Sequence, residues 1–275
     1  MINICFHYFS SQQSIPISDL TFGDILGKGG QAVVWKGMWA GKDVAIKRYI
    51  NQPDPRDIRI LQRLPPHQNI TTVYGVVFED ISCCIIMERM YGGSLHEFIH
   101  KKKIVPSPQQ CSSWMKDIAT GMEFLHSKGI VHRDLKSGNV LLEDDTHKTA
   151  KLCDFGTARQ LEQTTDQSTV TGTYRWMAPE IMKGGTINKK CDIYSYGMLL
   201  FEIVTLELPF KDATDQMVIF YVLSKEQPSL PQSDSKCPPF LRHLIFTCWV
   251  EDPSDRPSFQ EIILALSSEK LPLSQ

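Results

Sequence analysis

No stretch of this sequence approaches the roughly 18 consecutive apolar residues that a membrane-crossing helix needs, so no membrane partner is expected. An excess of one charge is missing as well. Lys plus Arg number 29 against 31 Asp plus Glu, a formal net charge of -2. Without a field of one sign there is nothing to draw in nucleic acid or an anionic surface, and neither is an expected partner. The one compact basic run, Lys101-Lys102-Lys103, reads as a solvated helix end. Internal repeats and long low-complexity linkers are absent. The opening MINICFHYFSSQQS has neither a basic start nor a long apolar centre and does not read as a secretory signal. None of the eight cysteines forms a Cys-x-x-Cys, and several sit inside apolar periodic segments. That pattern points to reduced core thiols in a cytoplasmic protein, not to a disulfide framework.

What is present is a chain of 275 residues that is 42% apolar, enough for a sizeable core. The first third reads as a small antiparallel sheet. Ile25-Leu26, Ala32 to Lys36 and Val44 to Lys47 look like three strands, with turns at Gly27–Gly30 and Ala40–Asp43. A short helix after Pro55 carries Ile58, Leu61 and Leu64 on one face, and Val73 to Phe78 and Cys83 to Met87 return to strand. Beyond Gly93 the character is helical: a run from an N-cap at Ser112 through Trp114, Ile118, Met122 and Leu125 ends at Gly129. Asp192 to Val204 is apolar nearly all round, as a central helix should be, and Phe240 to Trp249 and Phe259 to Leu266 are amphipathic. The expected class is α+β. An N-terminal extension (1–18) precedes a first lobe (19–88), a hinge (89–93) and a larger, mainly helical lobe (94–266), with a tail at 267–275.

Four groups of residues suggest chemistry. Gly27-x-Gly29-x-x-Ala32 lies between two strands, where glycines let backbone amides approach phosphate oxygens, although a hairpin that merely needs flexibility would look similar. Lys47 follows Val44-Ala45-Ile46 and is either an edge-strand lysine or a fixed cation for phosphates. The polar loop His132-Arg133-Asp134-Leu135-Lys136-Ser137-Gly138-Asn139 carries a carboxylate able to orient a hydroxyl and an amide oxygen able to take a divalent ion. Asp154-Phe155-Gly156 then places a second hard oxygen ligand just after a strand.

In this order and spacing, the motifs resemble those of the eukaryotic protein kinases over about Asp19 to Leu266. The resemblance implies a two-lobed fold, ATP and Mg²⁺ as cofactors, and protein substrates. It makes Asp134 the catalytic base, with Asn139 and Asp154 as metal ligands and Lys136 as the cation at the γ-phosphate. It assigns nucleotide contacts to Leu26, Gly27, Lys28, Gly29, Gly30, Val34, Ala45, Lys47, Met87, Glu88, Met90, Asn139, Leu141 and Asp154, with Met87 as gatekeeper. It also implies a Glu180–Arg256 pair and makes Asp192 a brace for the His-Arg-Asp backbone. Lys136 and Gly172-Thr173 are similar to serine/threonine enzymes, whereas Trp176 to Glu180 and Arg256 to Phe259 have a tyrosine-kinase flavour. The mixture resembles the tyrosine-kinase-like group, mixed-lineage and Raf-like enzymes above all, and implies a place in a MAP-kinase-type cascade with downstream kinases as substrates.

Two positions depart from the family pattern: Ala32 replaces the third glycine, and Asp57 stands where a glutamate usually pairs with the strand lysine. Lys47–Asp57 is the expected ion pair. These departures are the argument for a rival reading, a pseudokinase or nucleotide-sensing scaffold. Between Gly156 and Ala178, Ser168, Thr169 and Thr171 are the expected phosphorylation sites, with Arg133 placed to receive a phosphate.

Overall fold

The computed structural model describes residues 15–268, apart from 31, 52, 54–57, 59–63, 79–82, 155–158, 161–173 and 235. The chain divides into two compact units. One comprises the residues up to Gln62 together with Thr72–Arg89; the other comprises Arg63–Thr71 and everything from Met90 onward.

In the first unit, β-branched and aromatic residues alternate with polar ones, the pattern of a half-buried sheet. The strands are β1 (Leu20–Lys28), β2 (Ala32–Trp39), β3 (Lys42–Tyr49), β4 (Val73–Phe78) and β5 (Cys83–Glu88). They form an antiparallel sheet in the order β1-β2-β3-β5-β4. Ala40 (φ 48°) and Gly41 (φ 75°) make the two-residue turn between Trp39 and Lys42, which matches the right-handed twist of a tight hairpin. One face packs Leu20, Val44, Ile46, Val77, Cys84 and Ile86 into a core, flanked by Ile15, Ile17, Trp35 and Trp39. The glycine turn is narrower than the sequence suggests. Gly27 and Lys28 still pair with Val34 and Val33, and the break begins at Gly29, whose N–H bonds the Ala32 carbonyl at 2.9 Å. Ladder bonds to β2 hold Gly27 in the strand, because glycine permits a turn without forcing one.

The second unit is built around helices. Helix α1 (Pro108–Ser127) is capped by Ser107, not by Ser112. The Ser107 hydroxyl accepts the Gln110 N–H at 3.2 Å and the Gln110 side chain accepts the Ser107 N–H at 2.9 Å, with Pro108 at the first helical position. This reciprocal pair plus proline defines the start, and Ser112 falls inside the helix. Gly129, at φ 72°, takes the left-handed conformation that ends the run. After α2 (Pro179–Met182) comes α3 (Lys190–Thr205), in which every residue from Cys191 to Ile203 is buried. At Gly197 a Cβ would lie 2.8 Å from Cys248 and Trp249, so the missing side chain is what lets α5 (Pro239–Cys248) approach so closely. Helix α4 (Asp215–Leu223) has no counterpart in the sequence reading, because Met217 to Leu223 is apolar all round and shows no face. Helix α6 is Phe259–Ser268.

Short strands complete this unit: β6 (Gly93–Ser94), β8 (Val140–Leu142) and β9 (Ala150–Leu152) form one sheet, and β7 (Ile130–Val131) pairs with β10 (Arg159–Gln160). The segment before Thr72 belongs here and not with the first sheet. Asn69 Nδ2 donates to the Ala150 carbonyl at 3.1 Å, Leu152 N–H to Asn69 at 2.9 Å and Thr71 N–H to Leu152 at 2.9 Å. Among the described residues no helix is long and apolar enough to cross a membrane.

Candidate active site

The polar loop 132–139 is short, and its shape is imposed from α3. Asp192 is fully buried and accepts the backbone N–H of His132 (2.9 Å) and of Arg133 (2.8 Å). Asp192 also meets His126, whose Nε2 lies 2.8 Å from Oδ2, and accepts the Cys191 thiol at Oδ1. Burial alone would raise the Asp192 carboxyl, but the His126 bond, the nearby histidines and the Arg133 N–H outweigh it and hold it below the usual range. Arg133 sits at φ 69°, a left-handed conformation that costs a side-chain-bearing residue about 1–2 kcal/mol. The two charge-assisted bonds to Asp192 offset that cost.

The fixed loop gathers three of the residues singled out from the sequence. Lys136 Nζ lies 3.0 and 2.8 Å from the two Asp134 oxygens. Asn139 donates both hydrogens of its amide to Asp134, to the carbonyl at 2.8 Å and to Oδ2 at 2.9 Å. Its Oδ1 is then the only atom it can offer a cation. Beneath them, His132 is fully buried; the Asp134 N–H donates to its Nδ1 at 3.3 Å and its Nε2 reaches the Cys153 carbonyl at 3.3 Å. The β8–β9 ladder runs one residue further, through Cys153 N–H to the Asn139 carbonyl at 2.9 Å, and so brings Asp154 beside Asn139. Asp154 is exposed and, at φ 58°, is left-handed, the kind of local strain that collects at functional sites. A carboxylate and an amide oxygen are hard donors suited to Mg²⁺, so this pair fits the ion that the resemblance implies.

In the first unit, cross-strand register sorts the remaining candidates. Val34 pairs with Lys47 and Lys47 with Ile85, while Ala45 pairs with Met87. Directly paired residues share a face, so Val34, Ala45, Lys47 and Met87 lie together on the side opposite the core of Ile46 and Ile86. Lys47 Nζ stands 5.1 Å from the centre of the Tyr49 ring. Leu26 is the extra residue between the Ile25–Trp35 and Gly27–Val34 pairs, a bulge, and is exposed. The Glu88 N–H donates to the Thr72 carbonyl at 2.8 Å and is therefore spent within the sheet. In the second unit, Leu141 is a half-buried residue of β8, and Met90 is half-buried as well.

Glu180 and Arg256 form the expected pair, two parallel bonds of 2.6 and 2.8 Å. Arg256 is buried and spends its other donor capacity on the Val250, Lys190 and Glu251 carbonyls. Asp57, Ser168, Thr169, Thr171 and Thr173 lie outside the described residues. Three residues carry more structure than their sequence setting suggests: His126, Ser137 and Glu202. Glu202 is fully buried; it accepts the Trp176 indole N–H at 3.1 Å and the Ser137 hydroxyl, and lies 2.7 Å from His100 Nε2. Its signal in the sequence is an acid deep inside a mostly apolar helical run, which marks a buried partner without naming it.

A model of the protein tyrosine and serine/threonine kinase family matches residues 20–266. A probable serine/threonine-protein kinase of Dictyostelium discoideum is 36% identical over 270 residues, 94% of this chain and 29% of that protein. Mitogen-activated protein kinase kinase kinase 11 of Homo sapiens is 35% identical over 269 residues, 91% of this chain and 31% of its own length. The serine/threonine/tyrosine-protein kinase HT1 of Arabidopsis thaliana is 36% identical over 280 residues, covering 94% of this chain and 70% of HT1. The chain thus spans under a third of the first two relatives and most of the third. With the Asp134–Lys136–Asn139 cluster, the Asp192 brace and the Glu180–Arg256 pair all in place, the match over nearly the whole length means that this chain belongs to the protein tyrosine and serine/threonine kinase family.

Proposed function

We propose that this chain is a cytoplasmic serine/threonine protein kinase of the mitogen-activated protein kinase kinase kinase kind, transferring the γ-phosphoryl group of ATP to hydroxyls of protein substrates, downstream kinases among them. The observation that carries this reading is the Asp134–Lys136–Asn139 cluster on a loop whose backbone is bound by Asp192. Asp134 would accept the proton of the acceptor hydroxyl and orient its oxygen. Lys136, already 2.8 Å from that carboxylate, brings a positive charge to the place where negative charge develops. Asn139 Oδ1 and the Asp154 carboxylate would hold Mg²⁺. On the sheet, Lys47 and the amides of Gly27, Lys28, Gly29 and Gly30 would meet phosphates, Leu26, Val34, Ala45 and Met87 would meet the apolar part of the nucleotide, and Asp57 would pair with Lys47. In the second unit, Met90 and Leu141 would contribute to base binding. When bound, Mg²⁺–ATP supplies the phosphoryl group and neutralises its charge. Phosphorylation at Ser168, Thr169 or Thr171 would regulate the enzyme.

The test is transfer from radiolabelled ATP to a generic protein substrate, with wild type beside Asp134→Asn. Loss of a general base lowers turnover by about 10²–10⁴-fold, and ATP binding should survive. A wild type that binds ATP and transfers nothing would establish a nucleotide-sensing scaffold instead. The Arabidopsis relative is a serine/threonine/tyrosine-protein kinase by name, which favours tyrosine as a second acceptor. Phosphoamino-acid analysis of the product separates the two, and a panel of mitogen-activated protein kinase kinases as substrates tests the pathway.

A further inference from the structure

A second group of side chains adjoins the catalytic loop without belonging to it. The turn Glu97–Lys101 is π-helical, closed by the Lys102 N–H on the Glu97 carbonyl at 2.8 Å, and such widened turns gather at functional sites. Ser94 anchors it, accepting the Glu97 N–H at 3.1 Å and donating its own N–H to the Glu97 carboxylate at 3.3 Å. His96, which caps the turn, and His100 within it, with ring centres 4.8 Å apart, face Glu202 on α3. His100 Nε2 lies 2.7 Å and His96 Nδ1 4.0 Å from the same atom, Glu202 Oε1. One nitrogen from each ring and one carboxylate oxygen all lie within 4.8 Å of one another.

We propose that His96, His100 and Glu202 form a binding site for a divalent transition-metal ion of the zinc class. Two imidazole nitrogens and one carboxylate oxygen, with a fourth position left open, are a donor set that zinc takes tetrahedrally. Imidazole ligands disfavour Mg²⁺ and Ca²⁺, which bind oxygen. Ligands about 2.0–2.2 Å from a tetrahedral ion sit about 3.3–3.6 Å from each other. The two separations from Glu202 Oε1, 2.7 and 4.0 Å, bracket that value, and the two ring nitrogens, within 4.8 Å of each other, would close by up to about 1.2–1.5 Å to seat the ion. Trp176 holds the other Glu202 oxygen at 3.1 Å and so aims Oε1 at the rings, the part an outer-shell partner plays in metal sites. The Glu202 side chain is 0% exposed and that of His96 36%, which combines a dry charged ligand with a path for entry.

The fourth neighbour is Ser137, whose hydroxyl lies 3.5 Å from His96 Nδ1 and donates to Glu202 Oε1. A metal ion taking Oε1 would compete with that bond. Because Ser137 directly follows Lys136, occupancy of the site would be felt in the loop that carries Asp134 and Asn139. The proposal does not depend on the phosphotransfer reading, and its test does not use activity.

The full chain, freed of metal with a chelator and kept reduced, is titrated with Zn²⁺ by calorimetry and with Co²⁺ by visible absorption. A single bound equivalent is expected, with the absorption of a tetrahedral Co²⁺ site and without thiolate charge-transfer bands. Excess Mg²⁺ should not displace it. His96→Ala removes the most exposed ligand and should weaken binding at least about tenfold, with an unchanged melting temperature in the absence of metal. His100→Gln is the second variant, read in the same way. Absence of Zn²⁺ binding by wild type at millimolar metal overturns the proposal. Binding that is unchanged in both variants does the same, by placing the ion on the cysteines.

Discussion

Helix α3 carries two buried acids, and the way they hold the same loop differs. Asp192 and Glu202 are ten residues apart, about 15 Å along the helix, and both are fully buried. Asp192 grips the start of the 132–139 loop through backbone N–H groups, at His132 and Arg133. Glu202 grips it near the end through a side chain, the Ser137 hydroxyl, and its other neighbours, Trp176 and His100, are side chains too. Backbone donors are present whatever residue occupies the position, so Asp192 sets the path of the chain. Glu202 depends on the identity of three side chains and is the end at which the loop can be tuned.

Asp192→Ala tests the stronger end. It leaves the His132 and Arg133 N–H groups and His126 without their acceptor, and removing one member of a buried charged network costs about 3–5 kcal/mol. Urea unfolding should show that loss. Turnover in the folded fraction should fall because the left-handed Arg133 loses its support, with the KM for ATP little changed. An Asp192→Ala protein with wild-type stability would dissolve the distinction between the two acids. The same acid predicts a pH dependence. Its folded-state pKa lies below the ordinary carboxylate value of about 3.9, so its contribution is complete above that pH and is lost as the pH falls through the folded value. Wild-type stability should therefore drop more steeply in acid than that of Asp192→Ala, and equal slopes would mean that Asp192 does not supply the difference.

Glu202→Gln should cost less, about 1–3 kcal/mol, because the amide oxygen can still accept from Trp176 or Ser137 and only one donor is left facing an N–H₂ group. Turnover should stay within severalfold of wild type, since Asp134 remains placed by Asp192. If Glu202→Gln abolished transfer while leaving the fold intact, the side-chain end would be as decisive as the backbone end, and the ranking would reverse.

This contrast also explains which parts were legible in the sequence. Asp134, Lys136 and Asn139 fall within six consecutive residues; the carboxylate and the amide oxygen suggested their chemistry directly, the role of Lys136 came only with the resemblance, and the loop brings all three together. The Asp192 bond to His132 joins residues 60 apart and could be anticipated only through resemblance to a family. Glu202 was passed over in the sequence, although it is an acid in a largely apolar helix, because its partners at 100, 137 and 176 come from three separate segments that no periodicity connects. Helix α4 was hidden for the opposite reason: its apolar residues run all round and leave no polar face to mark a period. The segment before Thr72 was assigned by its neighbours in sequence, whereas its hydrogen bonds to β9 decide where it packs.

The smallest effect expected is that of Ser137→Ala, which separates the loop from Glu202 and leaves both carboxylates in place. A single hydrogen bond is lost along with its donor, so no buried donor is left over, and Glu202 keeps Trp176 and His100. The cost should be about 0.5–1.5 kcal/mol, at the low end of the series. A double-mutant cycle with Glu202→Gln is the sharper measurement. Groups in direct contact couple by about 0.5–3 kcal/mol, while Ser137→Ala and Asp192→Ala, which act on opposite ends of the loop, should add within about 0.3–0.5 kcal/mol. Strong coupling of Ser137 to Asp192 instead of Glu202 would show that the loop responds as one rigid piece, and the two acids would then be a single clamp.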